Sequence, residues 1–103
     1  MSWIEVGLFK EIPRQGARIL KTRSGNIGIF RTIDDEVFAL QDKCPHKGGP
    51  LSQGIVHGNR VTCPLHNWSI ELKTGEAVAP DIGCVNRYDT RIEDGVVYLL
   101  LGS

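Results

Sequence analysis

Apolar and polar residues alternate over short stretches of this chain, and no stretch repeats its apolar positions with the 3.6-residue period of an amphipathic helix. Short runs rich in β-branched and aromatic residues are instead separated by turn residues. The pattern predicts strands at Trp3–Val6, Ala17–Thr22, Ile27–Thr32, Val37–Gln41, Gly54–Val56, Arg60–Thr62, Trp68–Leu72, Val85–Glu93 and Val96–Leu101.

Turn signals between these runs indicate how the strands connect. The clearest is Asp94-Gly95, which lies between two strong runs and predicts a two-residue hairpin. Short strands at this spacing indicate an all-β fold, either an antiparallel sandwich or a small barrel. We expect residues 1–103 to form one domain, with a small β subdomain at about residues 42–82 inserted into a sandwich built from both ends of the chain.

Charge and hydropathy do not indicate a nucleic-acid or membrane partner. The chain has 12 Lys and Arg against 12 Asp and Glu, so its formal net charge of zero does not favour nucleic acid or an anionic membrane surface. No apolar run approaches the ~20 residues needed to span a bilayer. The first residues lack the basic and apolar regions of a signal peptide. We therefore expect a cytoplasmic protein.

Two short motifs carry the candidate chemistry. Cys44-Pro45-His46 and Cys63-Pro64-Leu65-His66 each offer one thiolate and one imidazole. Two cysteines on one iron and two histidines on the other are the ligands of a Rieske-type [2Fe–2S] centre. In so tight a spacing, each motif is expected to give its sulfur to one iron and its nitrogen to the other. The two prolines fix φ beside each thiolate and stiffen the loops.

Other sites made from cysteine and histidine fit these motifs less well. Structural zinc sites commonly pair like ligands, as C-x₂₋₄-C and H-x₃₋₅-H, whereas this chain interleaves them. A catalytic Cys–His pair needs an orienting third residue and an oxyanion loop, and the sequence indicates neither. A relic of the fold without a cluster is the remaining alternative, although all four ligands are present.

The same segments resemble a known family. The stretches Cys44-Pro45-His46-Lys47-Gly48-Gly49-Pro50-Leu51 and Cys63-Pro64-Leu65-His66-Asn67-Trp68 resemble those of soluble Rieske ferredoxins, and the resemblance covers nearly the whole chain. It implies the Rieske-type fold and one [2Fe–2S] cluster per chain. The ligands that it implies for both irons are Cys44, His46, Cys63 and His66.

Softer marks indicate a subfamily. The Asn67-Trp68 pair, the stretch Leu72-Lys73-Thr74-Gly75-Glu76-Ala77 and the later Gly83-Cys84-Val85 resemble the small subunit of NAD(P)H-dependent assimilatory nitrite reductase. Ferredoxins of ring-hydroxylating dioxygenases more often have glycine where this chain has Asn67. In quinol-oxidising Rieske proteins, the positions of Gly49 and Leu65 carry disulfide-forming cysteines, and those of Trp68 and Ile70 carry serine and tyrosine donors.

The resemblance implies a function and its partners. As the leading hypothesis, the chain binds a large subunit that carries FAD, an iron–sulfur cluster and sirohaem and reduces nitrite to ammonium with NAD(P)H in nitrate assimilation. The chain either relays single electrons to that subunit or tunes its assembly. It has no nucleotide-binding glycine fingerprint, so we expect no turnover by the chain alone. The alternative is a ferredoxin between a flavin reductase and a non-haem oxygenase. A third hypothesis is a non-redox module whose metal serves structure only.

Residues outside the four ligands carry further expectations. The resemblance makes Pro80, in Ala77-Val78-Ala79-Pro80-Asp81, a candidate lid over the cluster. Cys84 lies in an apolar setting and is expected to be buried. Trp3 and Trp68 are expected to pack in the core and His57 to be a solvated turn residue. Lys43 and Lys47 flank the first motif, either guiding an acidic partner or simply contacting water.

Overall fold

The computed structural model describes residues 2–23, 25–44, 49–64, 68–79 and 81–101. Within these ranges the chain forms strands and two short 3₁₀ helices, Phe9–Glu11 and Leu51–Gln53. The strands are β1 Ser2–Leu8, β2 Gly16–Thr22, β3 Gly25–Arg31, β4 Val37–Gln41, β5 Ile55–His57, β6 Arg60–Thr62, β7 Ser69–Glu71, β8 Arg87–Tyr88, β9 Thr90–Glu93 and β10 Val96–Leu101.

The strands pair into three antiparallel sheets, which confirms the all-β antiparallel prediction. The sheet orders are β1-β10-β9, β2-β3-β4-β8 and β5-β6-β7. We call them the first, middle and third sheets. The third sheet spans residues 55–71, inside the range 42–82 expected for the inserted subdomain. Among the described residues, no helix has the length and apolarity needed to cross a membrane.

The hairpin between β9 and β10 has the geometry that its sequence predicts. Asp94 and Gly95 have φ values of 50° and 76°, and Val96 pairs with Glu93 across the turn. Positive φ at both central residues is the mark of a type I′ turn, whose twist matches that of the two strands. This local prediction is confirmed.

The predicted strand over residues 85–93 is wrong. Two strands replace it: β8 pairs with β4 in the middle sheet, and β9 pairs with β10 in the first sheet. The chain therefore crosses between sheets near Asp89. Alternation of apolar and polar residues shows which faces a strand has, but it does not show which neighbour the strand pairs with.

The middle sheet lies between two apolar cores. In β3, Ile29 belongs to the core shared with the first sheet, while the next residue, Phe30, belongs to the core shared with the third sheet. Successive side chains of a strand point to opposite faces, so a strand covered on both faces is apolar throughout. We call the two sets the sandwich core and the loop core. The sandwich core consists of Ile12, Ile27, Ile29, Val37, Ala39, Val97 and Leu99. The loop core consists of Phe30, Leu40, Cys44, Leu51, Val56, Val61, Cys63, Ile70, Leu72 and Val85.

The expectation that Trp3 is a core residue is wrong, because Trp3 is 38% exposed. Its neighbour Ile4 packs against the sandwich core, so the alternation of β1 turns Trp3 to the opposite face. There the Arg91 guanidinium carbon lies 4.6 Å from the centroid of the indole. Trp3 therefore takes part in a surface cation–π contact.

Candidate metal centre

The first predicted ligand loop begins where β4 ends. Cys44 is 1% exposed, and its N–H donates a hydrogen bond of 2.7 Å to the carbonyl oxygen of Gly49. This bond closes a six-residue loop. Positions 45–48 are outside the described residues, and they include His46, the second predicted ligand of this loop.

The second predicted ligand loop is closed in the same way. Cys63 directly follows β6 and is fully buried, and its N–H donates a 2.6 Å hydrogen bond to the carbonyl oxygen of Trp68. Positions 65–67, which include the predicted ligand His66, are also outside the described residues. Each loop therefore begins with a buried cysteine that is joined to the residue five positions further on. The unequal spacings C-x-H and C-x-x-H gave no sign of this common closure.

The fold brings the two cysteine ends together. Cys44 and Cys63 belong to the same loop core. Gly54, which ends the 3₁₀ helix after the first loop, approaches the carbonyl oxygen of Thr62, the residue before Cys63, so closely that a Cβ at Gly54 would clash with it. Only glycine permits this approach, because backbone meets backbone. The end of the first loop segment is thus packed against the start of the second.

Polar side chains join the segments on either side of each loop. Around the first loop, Asp42 accepts two hydrogen bonds of 2.7 Å from Ser52, one from the backbone N–H and one from Oγ. Around the second loop, Thr62 Oγ1 lies 3.2 Å from Ser69 Oγ. These four residues were not among the predicted site residues. Aspartate and serine near a turn are common local capping residues, so their types alone did not indicate a contact across ten positions.

His57 lies beside the second of these pairs. It is exposed at the end of β5, as predicted for a solvated turn residue, and its Nε2 lies 2.6 Å from Thr62 Oγ1. The prediction of an exposed side chain is confirmed, while the turn itself begins at the next residue, Gly58. The hydrogen bond means that the exposed imidazole also contacts the strand that leads into Cys63.

The segment that contains the candidate lid residue Pro80 is hydrogen-bonded at its start to the residue after the second loop. Ala77 N–H donates to the Gly83 carbonyl at 2.8 Å, and Val78 N–H donates to the Ser69 carbonyl at 2.8 Å. The segment that begins at Ala77 therefore lies beside the residue that follows Trp68. Pro80 lies outside the described residues, so its role as a lid stays a prediction.

The two remaining predictions about packing have opposite outcomes. Trp68 is half-buried and packs against the loop core, as expected. Cys84 is exposed, so the expectation that it is buried is wrong. Its neighbour Val85 belongs to the loop core, and in an extended segment the adjacent side chain faces outward. Ile82, two positions earlier, is 90% exposed. Apolar residue types in this stretch therefore did not indicate burial.

The described half of the donor set fits a cluster with two thiolate ligands. All three cysteines lie in the described part of the chain, and none of them is in a disulfide. Cys44 and Cys63 are nearly inaccessible to water and share one apolar core, which suits a buried iron–sulfur site. Within the described ranges, no three His, Cys, Asp or Glu side chains converge.

The carboxyls with shifted pKa values belong to other parts of the fold. Hydrogen bonds from Arg31 and then Arg14 lower the pKa of Asp35, in the turn between β3 and β4. The Leu8 backbone N–H, followed by the Arg18 side chain, lowers the pKa of Glu11. Both carboxyls are therefore held in the charged form by donors of the sandwich.

Comparison with known proteins identifies a family. Residues 2–89 match the family model for the Rieske [2Fe-2S] domain. The 3-phenylpropionate/cinnamic acid dioxygenase ferredoxin subunit of Photorhabdus laumondii is 35% identical over 100% of this chain and 98% of its own length. The anthranilate 1,2-dioxygenase ferredoxin subunit of Burkholderia cepacia is 36% identical over 97% of this chain and 93% of its own length.

A solved structure shares the fold over almost its whole length. It is described as the small subunit of an NADH-dependent nitrite reductase from Mycobacterium tuberculosis, and it superposes with a TM-score of 0.88 at 19% identity, covering 99% of this chain and 96% of that one. At this identity the likeness shows the fold. The chain also matches longer curated relatives, of which it spans 19% and 27% in two cases.

Proposed function

This chain belongs to the Rieske [2Fe-2S] domain family, and on that premise we propose that it is a one-electron carrier. The ligands that we propose for its cluster are Cys44, His46, Cys63 and His66. Members of the family carry a Rieske-type [2Fe–2S] cluster, which supplies reversible one-electron transfer when bound. The observation that carries the proposal is the pair of buried cysteines, each opening a loop closed by a Cys N–H bond to the residue five positions further on.

The chain's own residues suit a carrier in two ways. The apolar side chains around Cys44 and Cys63 exclude water from the thiolates, which protects a cluster from hydrolysis. The backbone closures and the flanking side-chain pairs hold the two ends of each loop together. A preorganised site rearranges little when its charge changes, so the exchange of an electron requires little movement of the protein.

The cofactor proposal is tested by the purified chain itself. We expect about two irons and two sulfides per chain, a visible spectrum that dithionite bleaches, and the electron paramagnetic resonance spectrum of a Rieske centre in the reduced state. A protein that binds one zinc and has no reducible spectrum would exclude electron transfer and leave the structural-metal alternative.

For the partner, we propose the large subunit of an NAD(P)H-dependent nitrite reductase. Support comes from the residues that resemble the small subunit of that enzyme, among them Asn67-Trp68 and Gly83-Cys84-Val85. Because Cys84 is exposed, packing does not demand a cysteine at that position, and the fold alone does not account for the motif.

A second candidate has its own support. Two dioxygenase ferredoxin subunits are 35% and 36% identical to this chain over nearly their whole lengths. In that role the chain would carry electrons from a flavin reductase to a non-haem iron oxygenase. The two candidates share the cluster and differ in the protein that accepts the electron.

The experiment that separates the candidates is affinity purification of the tagged chain from its host grown on nitrite. Co-purification of a subunit with sirohaem absorbance and NAD(P)H-dependent nitrite loss would support the first candidate. A flavin reductase or a non-haem oxygenase in the eluate would support the second. The tagged Cys84→Ser chain is purified in parallel as a comparison, because it is expected to keep the cluster while altering a surface residue of the nitrite reductase motif. The isolated chain should reduce no nitrite in either case.

A further inference from the structure

We propose that Asp42 and Ser52 form a clamp that positions the first ligand loop, and that the clamp sets the geometry and lifetime of the cluster. The inference rests on the proposed assignment of Cys44 and His46 as ligands. Both clamp residues lie outside the loop, Asp42 two positions before Cys44 and Ser52 three positions after Gly49. We call the pair the carboxylate clamp.

The two hydrogen bonds of the carboxylate clamp use both oxygens of one carboxylate. Ser52 N–H donates to Asp42 Oδ1 and Ser52 Oγ donates to Asp42 Oδ2, each at 2.7 Å in a partly buried setting. Hydrogen bonds to an ionised group are shorter and roughly twice as strong as neutral ones. Two such bonds to one residue also fix its orientation, which a single bond leaves free to rotate.

The carboxylate clamp satisfies a helix end that its own sequence leaves uncapped. Pro50 occupies the N-cap of the 3₁₀ helix Leu51–Gln53 and makes no side-chain cap. The N–H groups in the first turn of a helix have no partner within the helix. Asp42 supplies the acceptor for one of them from the opposite side of the ligand loop. The cap therefore links the two ends of the loop instead of stabilising the helix locally.

Both ends of the carboxylate clamp are anchored in the fold. Asp42 N–H donates to the carbonyl oxygen of Asn26 at 2.9 Å, which ties it to β3 of the middle sheet. Leu51, the neighbour of Ser52, is fully buried in the loop core. The clamp thus joins two anchored segments, one just before Cys44 and one just after Gly49. Loss of the clamp would free the loop while leaving both anchors in place.

The pair beside the second loop is weaker and provides a comparison within the same protein. Thr62 Oγ1 and Ser69 Oγ are neutral groups 3.2 Å apart. Neutral hydroxyl pairs contribute less than a bidentate carboxylate. We therefore expect the first loop to depend on its clamp more strongly than the second loop does.

The test uses holo protein with substitutions at both clamp residues. Asp42→Ala removes both bonds, and Ser52→Ala removes only the hydroxyl bond. Asp42→Asn has the same shape without the charge: its Oδ1 can still accept from Ser52 N–H, but its amide nitrogen must donate to Ser52 Oγ, which reverses that bond. Thr90→Val is the matched control, because Thr90 Oγ1 donates a 2.9 Å bond to the Val37 carbonyl in a partly buried setting away from the ligand loops.

Two readouts distinguish positioning from general stability. The first is the rate of cluster loss, followed by visible absorbance in the presence of an iron chelator at a temperature where all variants stay folded by circular dichroism. The second is the g values and line widths of the reduced cluster in electron paramagnetic resonance. Groups that orient ligands typically change metal affinity by roughly 10–100-fold, so we expect cluster loss from Asp42→Ala to be faster by about that factor, with a broadened spectrum.

The other variants decide the interpretation. We expect intermediate effects for Ser52→Ala, which loses one bond, and for Asp42→Asn, which loses the charge. We expect an unchanged spectrum for Thr90→Val even if its melting temperature falls. If Asp42→Ala fails to fold, Ser52→Ala alone must still differ from Thr90→Val. Wild-type spectra and lifetimes in Asp42→Ala and Ser52→Ala would overturn the clamp, and so would an Asp42→Asn variant that loses its cluster as fast as Asp42→Ala. A wild-type protein without a Rieske spectrum would instead refute the ligand assignment, and the clamp's proposed role with it.

Discussion

Gly75 allows a quantitative test of the close packing between its own backbone and that of Val85. It is buried with φ +78°, its carbonyl oxygen accepts a 2.8 Å bond from Val85 N–H, and a Cβ at Gly75 would lie 2.5 Å from the Val85 carbonyl oxygen. Gly95 has nearly the same φ, +76°, with nothing within 4 Å of the Cβ position. Alanine at the two positions therefore meets the same backbone strain but different surroundings.

The expected difference follows from the terms that the two substitutions do not share. Alanine in the left-handed region costs about 1–2 kcal/mol relative to glycine at either position. Gly→Ala also lowers the entropy of the unfolded chain by a similar amount in both variants, about 0.4–1 kcal/mol. At Gly75 alone, the backbone must separate from Val85. Loss of that buried hydrogen bond costs a further ~1–3 kcal/mol.

Heating the two holo variants at one scan rate measures this difference. Loss of the cluster makes unfolding irreversible, so the comparison uses apparent melting temperatures from far-ultraviolet circular dichroism at a fixed rate. With roughly 4–8 °C per kcal/mol for a domain of this size, we expect Gly75→Ala to melt about 5–20 °C below Gly95→Ala. Equal melting temperatures would refute the reasoning, because they would mean that the Val85 carbonyl gives way at little cost.

Three further predictions concern the ligands, acid stability and potential. His66→Ala should lose most of its iron while Cys84→Ser retains it, as measured by metal analysis; the opposite result would invalidate the ligand set. Because hydrogen bonds from Arg31 and Arg14 lower the pKa of Asp35, their stabilisation is present above the unfolded carboxyl pKa of ~3.9 and disappears as pH falls through the lower folded value. The melting temperature of wild type should therefore fall more steeply below pH ~4 than that of Asp35→Asn, and parallel curves would count against the ion pair. The cluster potential should lie near the low end of the Rieske range, roughly −150 mV by protein-film voltammetry, because the serine and tyrosine donors of quinol-oxidising relatives are replaced here; a value above about zero would contradict this.

Features that depend on neighbouring residues could be predicted from the sequence. The Asp94-Gly95 turn needs positive φ at two adjacent positions, and these residues tolerate it at low cost, so the hairpin could be predicted from the pair. Strand β4 was predicted with its observed bounds, Val37–Gln41, because alternation and turn residues are local signals. The cysteine–histidine motifs indicated their chemistry for the same reason, since ligand type and spacing are properties of the chain.

How those elements meet is a property of the folded chain and could not be predicted. It placed Ile29 and Phe30 in different cores, divided residues 85–93 between two sheets, and left Trp3 and Cys84 exposed. A strand's alternation defines two faces, but whether each face meets water or another sheet depends on segments far away in sequence. The contact of Asp42 with Ser52 belongs to the same class. Neither residue alone indicates it, because the fold of the intervening loop brings the carboxylate and the helix end together.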